Sequence, residues 1–452
     1  MRYISTRGGI KQSVSFTEAV AMGLSPDGGL LIPERLPELS SFLAKWESLD
    51  YVKLCQAFFG HFATDLDPVV LNRCIEQAYQ KFEHADIAPL VALDAKTYVL
   101  ELFHGPTLAF KDFALQLLGN FYAEQIKRTG LPINVLGATS GDTGAAAIHG
   151  LIGREGVNIF ILYPEGGVSP LQERQMACTG ASNVHALAVQ GSFDDCQAII
   201  KSIFGDVSFK ETQHLSAVNS INIARILAQC VYYLYAFLRL PAEKRSVADF
   251  VVPTGNFGNV LAGWMLQQMG VPIRSFCVAT NRNDILYRFF TTGTYAVGKM
   301  MGSHAPSMDI QVASNFERFI YYAVGQDPVK VTEIMKAFAA DGKYVFESFD
   351  TGTFTASRCD DIGIEAAIAD CFERFGYVID PHTACGYHGL RSDAISVILS
   401  TAHPAKFPAL IEQTLHRDST HPALEALKSE PIQKTILPAS ENAVRQYIQA
   451  HV

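Results

Sequence analysis

From about residue 95 onward, short and nearly continuous apolar runs rich in Val and Ile alternate with longer stretches whose apolar residues recur at helical spacing. Unbroken apolar runs, rather than alternating ones, are what strands covered on both faces require. Strands are therefore expected at 98–103, 133–138, 157–163, 184–189, 250–252, 275–279 and 396–400, with helices over 112–128, 193–204, 221–238 and 259–269. Strand alternating with helix predicts an α/β architecture built on a largely parallel sheet. Residues 1–92 follow another rhythm, with turn punctuation at Ser25-Pro26-Asp27-Gly28-Gly29 and then mostly helical periodicity, and are expected to form a separate N-terminal unit. There is no internal repeat and no low-complexity tract.

A chain of 452 residues exceeds the size at which one core stops growing, about 250 to 300 residues, so two or three units are expected. The net charge of −9, with no basic cluster, gives no electrostatic reason to seek a nucleic acid. The longest apolar stretch, 226–238, is interrupted by Gln229 and falls short of the roughly 20 residues of a spanning helix, so no membrane association is expected. The N-terminus lacks the apolar run of a secretory signal, and the nine cysteines form no CxxC pair. These features point to a cytoplasmic protein whose thiols are reduced and mostly buried. His382, His388 and His403 lack ligand spacing and are read as structural, so no metal is expected. Tyr232, Tyr233 and Tyr235, and the pair Met300-Met301, are read as core or interface packing.

Three segments carry candidate chemistry. In Glu101-Leu102-Phe103-His104-Gly105-Pro106-Thr107-Leu108-Ala109-Phe110-Lys111-Asp112-Phe113 the chain leaves a strand, turns, and enters a helix. Lys111 then sits near the positive end of a helix dipole beside two phenylalanines, which lowers the pKa of an amine and makes it a nucleophile or proton carrier. The alternative is a lysine whose charge reaches solvent along its apolar stem. The second segment, Thr139-Ser140-Gly141-Asp142-Thr143-Gly144, follows the 133–138 strand and lacks both P-loop and dinucleotide-fingerprint spacing. Its backbone N–H groups suit a carboxylate or small phosphate, unless the glycines serve turn geometry alone. The third, Pro253-Thr254-Gly255-Asn256-Phe257-Gly258-Asn259, repeats that logic and can form a nest of donors around a phosphate. All three lie at the carboxyl ends of strands, where open α/β sheets bind ligands.

Lys111 within His-Gly-Pro-Thr-Leu-Ala-Phe-Lys-Asp-Phe resembles the Schiff-base motif of the threonine synthases, within the fold-type-II pyridoxal-phosphate superfamily. Ala-Thr-Ser-Gly-Asp-Thr-Gly (138–144), Gly-Asn-Phe-Gly-Asn (255–259), Asn-Ser-Ile-Asn-Ile-Ala-Arg (219–225) and Thr-Ala-His-Pro-Ala-Lys-Phe (401–407) are similar to further motifs of that family, and the likeness begins near Val14-Ser15-Phe16. Ser400 stands where the family pattern suggests glycine. The resemblance implies a fold like that of the tryptophan synthase β chain: two open, mostly parallel sheets with flanking helices, plus the mainly helical N-terminal unit. It implies a family-type domain over 1–92, a pyridoxal-phosphate-binding core over 93–430 with a smaller part near 110–225, and a C-terminal tail over 431–452.

Carried over by position, Lys111 would bind pyridoxal 5'-phosphate and move protons during the reaction. Gly255, Asn256, Phe257, Gly258 and Asn259 would hold the cofactor's phosphate, and Thr401 its pyridine nitrogen. Thr139, Ser140, Gly141, Asp142 and Thr143 would face the amino-acid substrate, with the Asp142 charge paired elsewhere. Arg225 and Lys406 would meet the substrate's phosphate, one as a fork and one as a point charge. The implied partner is a small molecule, O-phospho-L-homoserine, converted with water to L-threonine and phosphate by γ-elimination and β-addition of water. The alternatives are a dehydratase or O-phosphohomoserine lyase of the same fold, or a homologue that binds a phosphometabolite without catalysis. Because water must be admitted at one step only, the smaller part is expected to close over the substrate.

Overall fold

The computed structural model describes residues 1–347 and 352–452. Two open sheets dominate it. The larger runs, edge to edge, through Phe354–Arg358, Ser275–Thr280, Ala248–Pro253, Ile395–Ser400, Thr97–Glu101 and Leu90–Ala92, parallel throughout except for the last strand. The smaller runs through Thr435–Pro438, Val184–Gln190, Val157–Pro164, Ile133–Ala138 and Leu215–Ala217, all parallel. The α/β class and the mostly parallel sheets are as the apolar runs predict. Every residue of Ala248–Pro253 is buried, as a strand covered on both faces must be.

Helix Ile223–Arg239 lies at the centre. All its residues but the last are buried, so it has no solvent face and is apolar on nearly every side, with Arg225 and Gln229 as buried exceptions. It packs against helices Lys111–Thr129 and Gly258–Gln268 and thereby holds two of the candidate turns on one scaffold. Among the described residues, no helix is long and apolar enough to cross a membrane.

The first 80 residues contribute helices Phe16–Met22, Tyr51–Phe59 and Pro68–Tyr79, and a hairpin of Tyr3–Ser5 with Leu31–Pro33. Their apolar residues join the main core: Phe16 meets Phe121 edge-on at 5.2 Å, and Tyr51 meets Phe113 at 5.5 Å. Arg318, fully buried, donates from Nε to the Leu31 carbonyl (3.0 Å) and pins this region to the strand-rich part. Leu90–Ala92 is an edge strand of the larger sheet. At the other terminus Thr435–Pro438 adds a strand to the smaller sheet, and helix Glu441–His451 buries Val444 and Ile448 against it. Eight cysteines are buried and Cys178 is partly so; none forms a disulfide. Met300 and Met301, expected in a core or interface, are exposed, 51% and 42%.

Candidate active site

The segment carrying Lys111 turns back on the strand that ends at Ser400. Leu108 takes a left-handed φ of 58°, and its N–H reaches the Gly105 carbonyl at 3.0 Å. Ala109 bridges Ala402, Phe110 N–H donates to the Thr401 carbonyl (2.9 Å), and His403 N–H donates to the Leu108 carbonyl (3.0 Å). Lys111 opens its helix directly beside Thr401 for this reason. Asp112 is buried and accepts from the Thr107 N–H (2.8 Å) and hydroxyl (2.7 Å), which locks the turn. Burial raises the Asp112 carboxyl to about 6, against those hydrogen bonds.

The Lys111 ammonium has no hydrogen-bond or ion-pair partner among the described residues; its nearest ring is Phe110, 5.7 Å away. Burial lowers its pKa to about 8; Lys406 and Arg225 push the same way, while Asp142 and Asp112 oppose. At neutral pH such an amine is within reach of the uncharged, nucleophilic form.

Two turns offer free backbone donors. Among the described residues, none of the N–H groups of Gly255, Asn256, Phe257, Gly258 and Asn259 donates a hydrogen bond, and they open helix Gly258–Gln268. Phe257 holds a left-handed φ of 64°, and its buried ring stacks on Phe290 and meets Phe316 edge-on at 5.3 Å. That packing offsets the backbone strain. Asn259 accepts from the hydroxyls of Tyr232 (2.6 Å) and Tyr233 (2.9 Å), while its buried Nδ2 has no partner. The tyrosine stripe is core, and it also steadies the nest. Five unpaired N–H groups at a helix N-terminus fit a phosphate.

In the other turn Thr139 Oγ1 accepts from Gly141 N–H and Gly144 N–H, both at 2.9 Å. Among the described residues the N–H groups of Ser140, Asp142 and Thr143 remain unpaired at the start of helix Asp142–Leu151. The Asp142 carboxylate is turned to other partners: Lys406 Nζ at 2.8 Å, Gln172 Nε2 at 3.3 Å and the Ser307 hydroxyl at 2.9 Å. Burial alone would raise the Asp142 carboxyl, but Lys406 and Lys111 hold it well below the usual carboxylate range.

Arg225 and Lys406 differ. Lys406, 3% exposed, is ion-paired with Asp142 and donates to the Thr107 carbonyl (2.9 Å). Its ammonium therefore neutralises Asp142 in this arrangement rather than standing free for a substrate phosphate. Among the described residues the side chain of Arg225, 4% exposed, donates only to the Val218 carbonyl (3.1 Å), its Nε has no partner, and no carboxylate pairs with it. Burial lowers the Arg225 guanidinium to about 10, still cationic at neutral pH. The Thr401 hydroxyl makes no hydrogen bond among the described residues, and its N–H donates to Thr383 Oγ1 at 3.3 Å.

Sequence reasoning passed over Ser307 and treated His382 as merely structural. Ser307 N–H donates to His382 Nε2 (3.2 Å), whose Nδ1 is held by Asp380 at 2.9 Å. The Asp380-Pro381 pair signals a helix start, but nothing local signals that the ring faces residue 307. Thr383 Oγ1, bonded to Asp380, also meets Ser400 Oγ at 3.1 Å, so the serine at the expected glycine position is tied into this chain of hydrogen bonds.

Comparison with known proteins matches three family models: threonine synthase N terminus over residues 2–79, pyridoxal-phosphate dependent enzyme over 87–397, and threonine synthase C-terminal over 383–448. The threonine synthase of Pseudomonas aeruginosa is 41% identical over 100% of this chain and 98% of its own. The structure of a threonine synthase from Brucella melitensis with pyridoxal phosphate bound superposes with a TM-score of 0.95 at 40% identity, covering 100% of this chain and 99% of that one. The yeast threonine synthase structure superposes at 0.92 and 36% identity, covering 100% and 98%.

Proposed function

Because this chain belongs to the threonine synthase family of pyridoxal-phosphate enzymes, we propose that it converts O-phospho-L-homoserine and water to L-threonine and phosphate, as a carbon–oxygen lyase acting on phosphate. The observation that carries the reading is a buried amine, Lys111, close to a second buried cation, Arg225, and to a carboxylate, Asp142, that Lys406 has already paired. Among the described residues Lys111 has no polar partner and Arg225 no anionic one, whereas Lys406 is neutralised by Asp142. A free amine and a buried guanidinium without a counter-charge await, respectively, a carbonyl and an anion.

When bound, the cofactor supplies an electron sink that makes the substrate's Cα and Cβ protons removable. Lys111 would hold its aldehyde carbon, residues 255–259 its phosphate, and the Thr401 hydroxyl its ring nitrogen; a hydroxyl there leaves that nitrogen uncharged. With the cofactor and substrate bound, Lys111 would be the free base within reach, able to take protons from Cα and Cβ and to return them at Cγ and Cα, with water adding at Cβ. The unpaired N–H groups of Ser140, Asp142 and Thr143 receive the substrate's carboxylate, with Thr139 and Gly141 shaping that turn. Lys406 keeps Asp142 from repelling the carboxylate. Arg225 forks onto the substrate's phosphate and stabilises it as it leaves Cγ. All these groups lie within the proposed core, 93–430, most of them in or beside its smaller part near 110–225.

The test is to incubate the protein and pyridoxal phosphate with O-phospho-L-homoserine and quantify threonine, 2-oxobutyrate and phosphate in one sample, beside Lys111→Ala. Equal amounts of threonine and phosphate, absent from the variant, are expected. Phosphate with 2-oxobutyrate instead would move the protein to the lyases that stop after elimination.

A further inference from the structure

We infer that Ser307 is a positioning residue that ties the turn of residues 139–144 to the nest of residues 255–259, so that the substrate's carboxylate and the cofactor's phosphate are presented at a fixed spacing. The part of this that concerns the carboxylate rests on the function proposed above.

The turn Pro306–Met308 is rigid on its own side. Asn281 Nδ2 donates to Ser303 Oγ (2.7 Å), the Ala305 carbonyl (3.2 Å) and Asp309 Oδ1 (2.7 Å), and Asn283 Nδ2 also reaches Asp309 Oδ1 (2.9 Å). The turn backs directly onto the nest: a Cβ placed on Gly255 would lie 3.1 Å from the Ser307 carbonyl oxygen and 3.3 Å from Met308 Cα. His382 fixes its backbone. With Nδ1 engaged by Asp380, the ring presents Nε2 as the acceptor for Ser307 N–H, and its edge rests on Phe407 at 5.1 Å.

From this anchored base one group reaches the smaller sheet. The Ser307 hydroxyl donates to Asp142 Oδ2 at 2.9 Å, across 165 residues of sequence. Asp142 is the first residue of its helix, so its own N–H and that of Thr143 are among the free donors of the turn. Lys406 and Gln172 hold the other carboxylate oxygen. Lys406 supplies charge on a flexible stem, whereas Ser307 supplies direction from a backbone whose N–H is held by His382. Removing the hydroxyl leaves the ion pair in place and frees the turn to shift relative to the nest.

The experiment compares the holoenzyme with Ser307→Ala and Ser307→Thr, the threonine keeping the hydroxyl. Hydrogen exchange is read at peptides covering 139–147 and 255–261, together with the visible spectrum of bound pyridoxal phosphate and the KM and kcat for O-phospho-L-homoserine. In Ser307→Ala, exchange over 139–147 is expected to quicken about tenfold or more while 255–261 and the spectrum stay unchanged. KM is expected to rise about tenfold with kcat nearly constant, and Ser307→Thr to restore both readouts. Unchanged exchange over 139–147 would overturn the inference, as would equal loosening of both peptides with loss of cofactor, which marks a merely structural residue. If the wild type made no threonine, the proposed function alone would fail, because the exchange comparison still decides the role of Ser307.

Discussion

At the scale of single residues, Arg225 carries the sharpest expectation. A guanidinium 4% exposed, with one backbone acceptor and no carboxylate among the described residues, costs the folded protein several kcal/mol unless an anion arrives. Arg225→Met should therefore lower kcat/KM for the phosphorylated substrate by about a hundredfold or more, and Arg225→Lys should recover little of it because an ammonium cannot fork. The same Met variant, without substrate, should melt no lower than the wild type in a thermal scan; a clear drop would make Arg225 a structural residue. Lys111 sets the pH dependence of cofactor capture. Its amine titrates near about 8 and only the uncharged form attacks an aldehyde, so the uncharged fraction grows with pH. The rate at which cofactor-free protein develops visible absorbance with pyridoxal phosphate should rise about tenfold per pH unit below 8 and level off above it. A rate flat from pH 6 to 8 would contradict a depressed pKa.

At the scale of elements, the two glycine-bearing turns separate cofactor from substrate. Gly141 has a φ of 148°, and a Cβ there would sit 2.3 Å from Gln172 Nε2, the group that donates to Asp142. Gly141→Ala should cost about 1 to 3 kcal/mol of local strain and raise KM, leaving the visible spectrum of the bound cofactor intact. Gly255→Val should do the reverse, because its Cβ meets the Ser307 carbonyl and Ile310 Cγ1 at 3.1 Å and the branches must enter the nest. Cofactor retained by that variant after gel filtration would be the contrary result. Both turns are visible in sequence, since each follows an unbroken apolar run and opens a helix. The strands around them were legible for the same local reason: Ile133–Ala138 has the bounds its apolar run suggests. Leu215–Ala217, Phe354–Arg358 and Thr435–Pro438 were not legible, being short or flanking strands without such a run, whose pairing depends on partners far away in sequence.

At the scale of the whole molecule, the last residues belong to the smaller sheet. Ending the chain at Glu430 would strip Val184–Gln190 of its edge partner and uncover the apolar face of the smaller sheet on which the removed Val444 and Ile448, both fully buried, now pack. The truncated protein should lose several degrees in melting temperature and turn over substrate poorly. Closure of the smaller part over the substrate is checked by solution scattering with and without a non-reacting phosphonate analogue. A smaller radius of gyration with the analogue is expected, and superimposable profiles would count against closure.

Hydrophobic periodicity and turn chemistry by themselves determined the α/β class, the helical start, the strands that carry the site and the position of Lys111 at a helix N-terminus, because each follows from neighbours a few residues apart. Which charges find partners is another matter. Lys406 neutralises Asp142 across 264 positions, taking 142 from 406, and Ser307 reaches it across 165, so only the packed chain decides that, among the described residues, Lys406 finds a carboxylate and Arg225 does not. A buried charge is governed by whatever groups the fold brings within hydrogen-bond distance, and that distance is a property of tertiary structure.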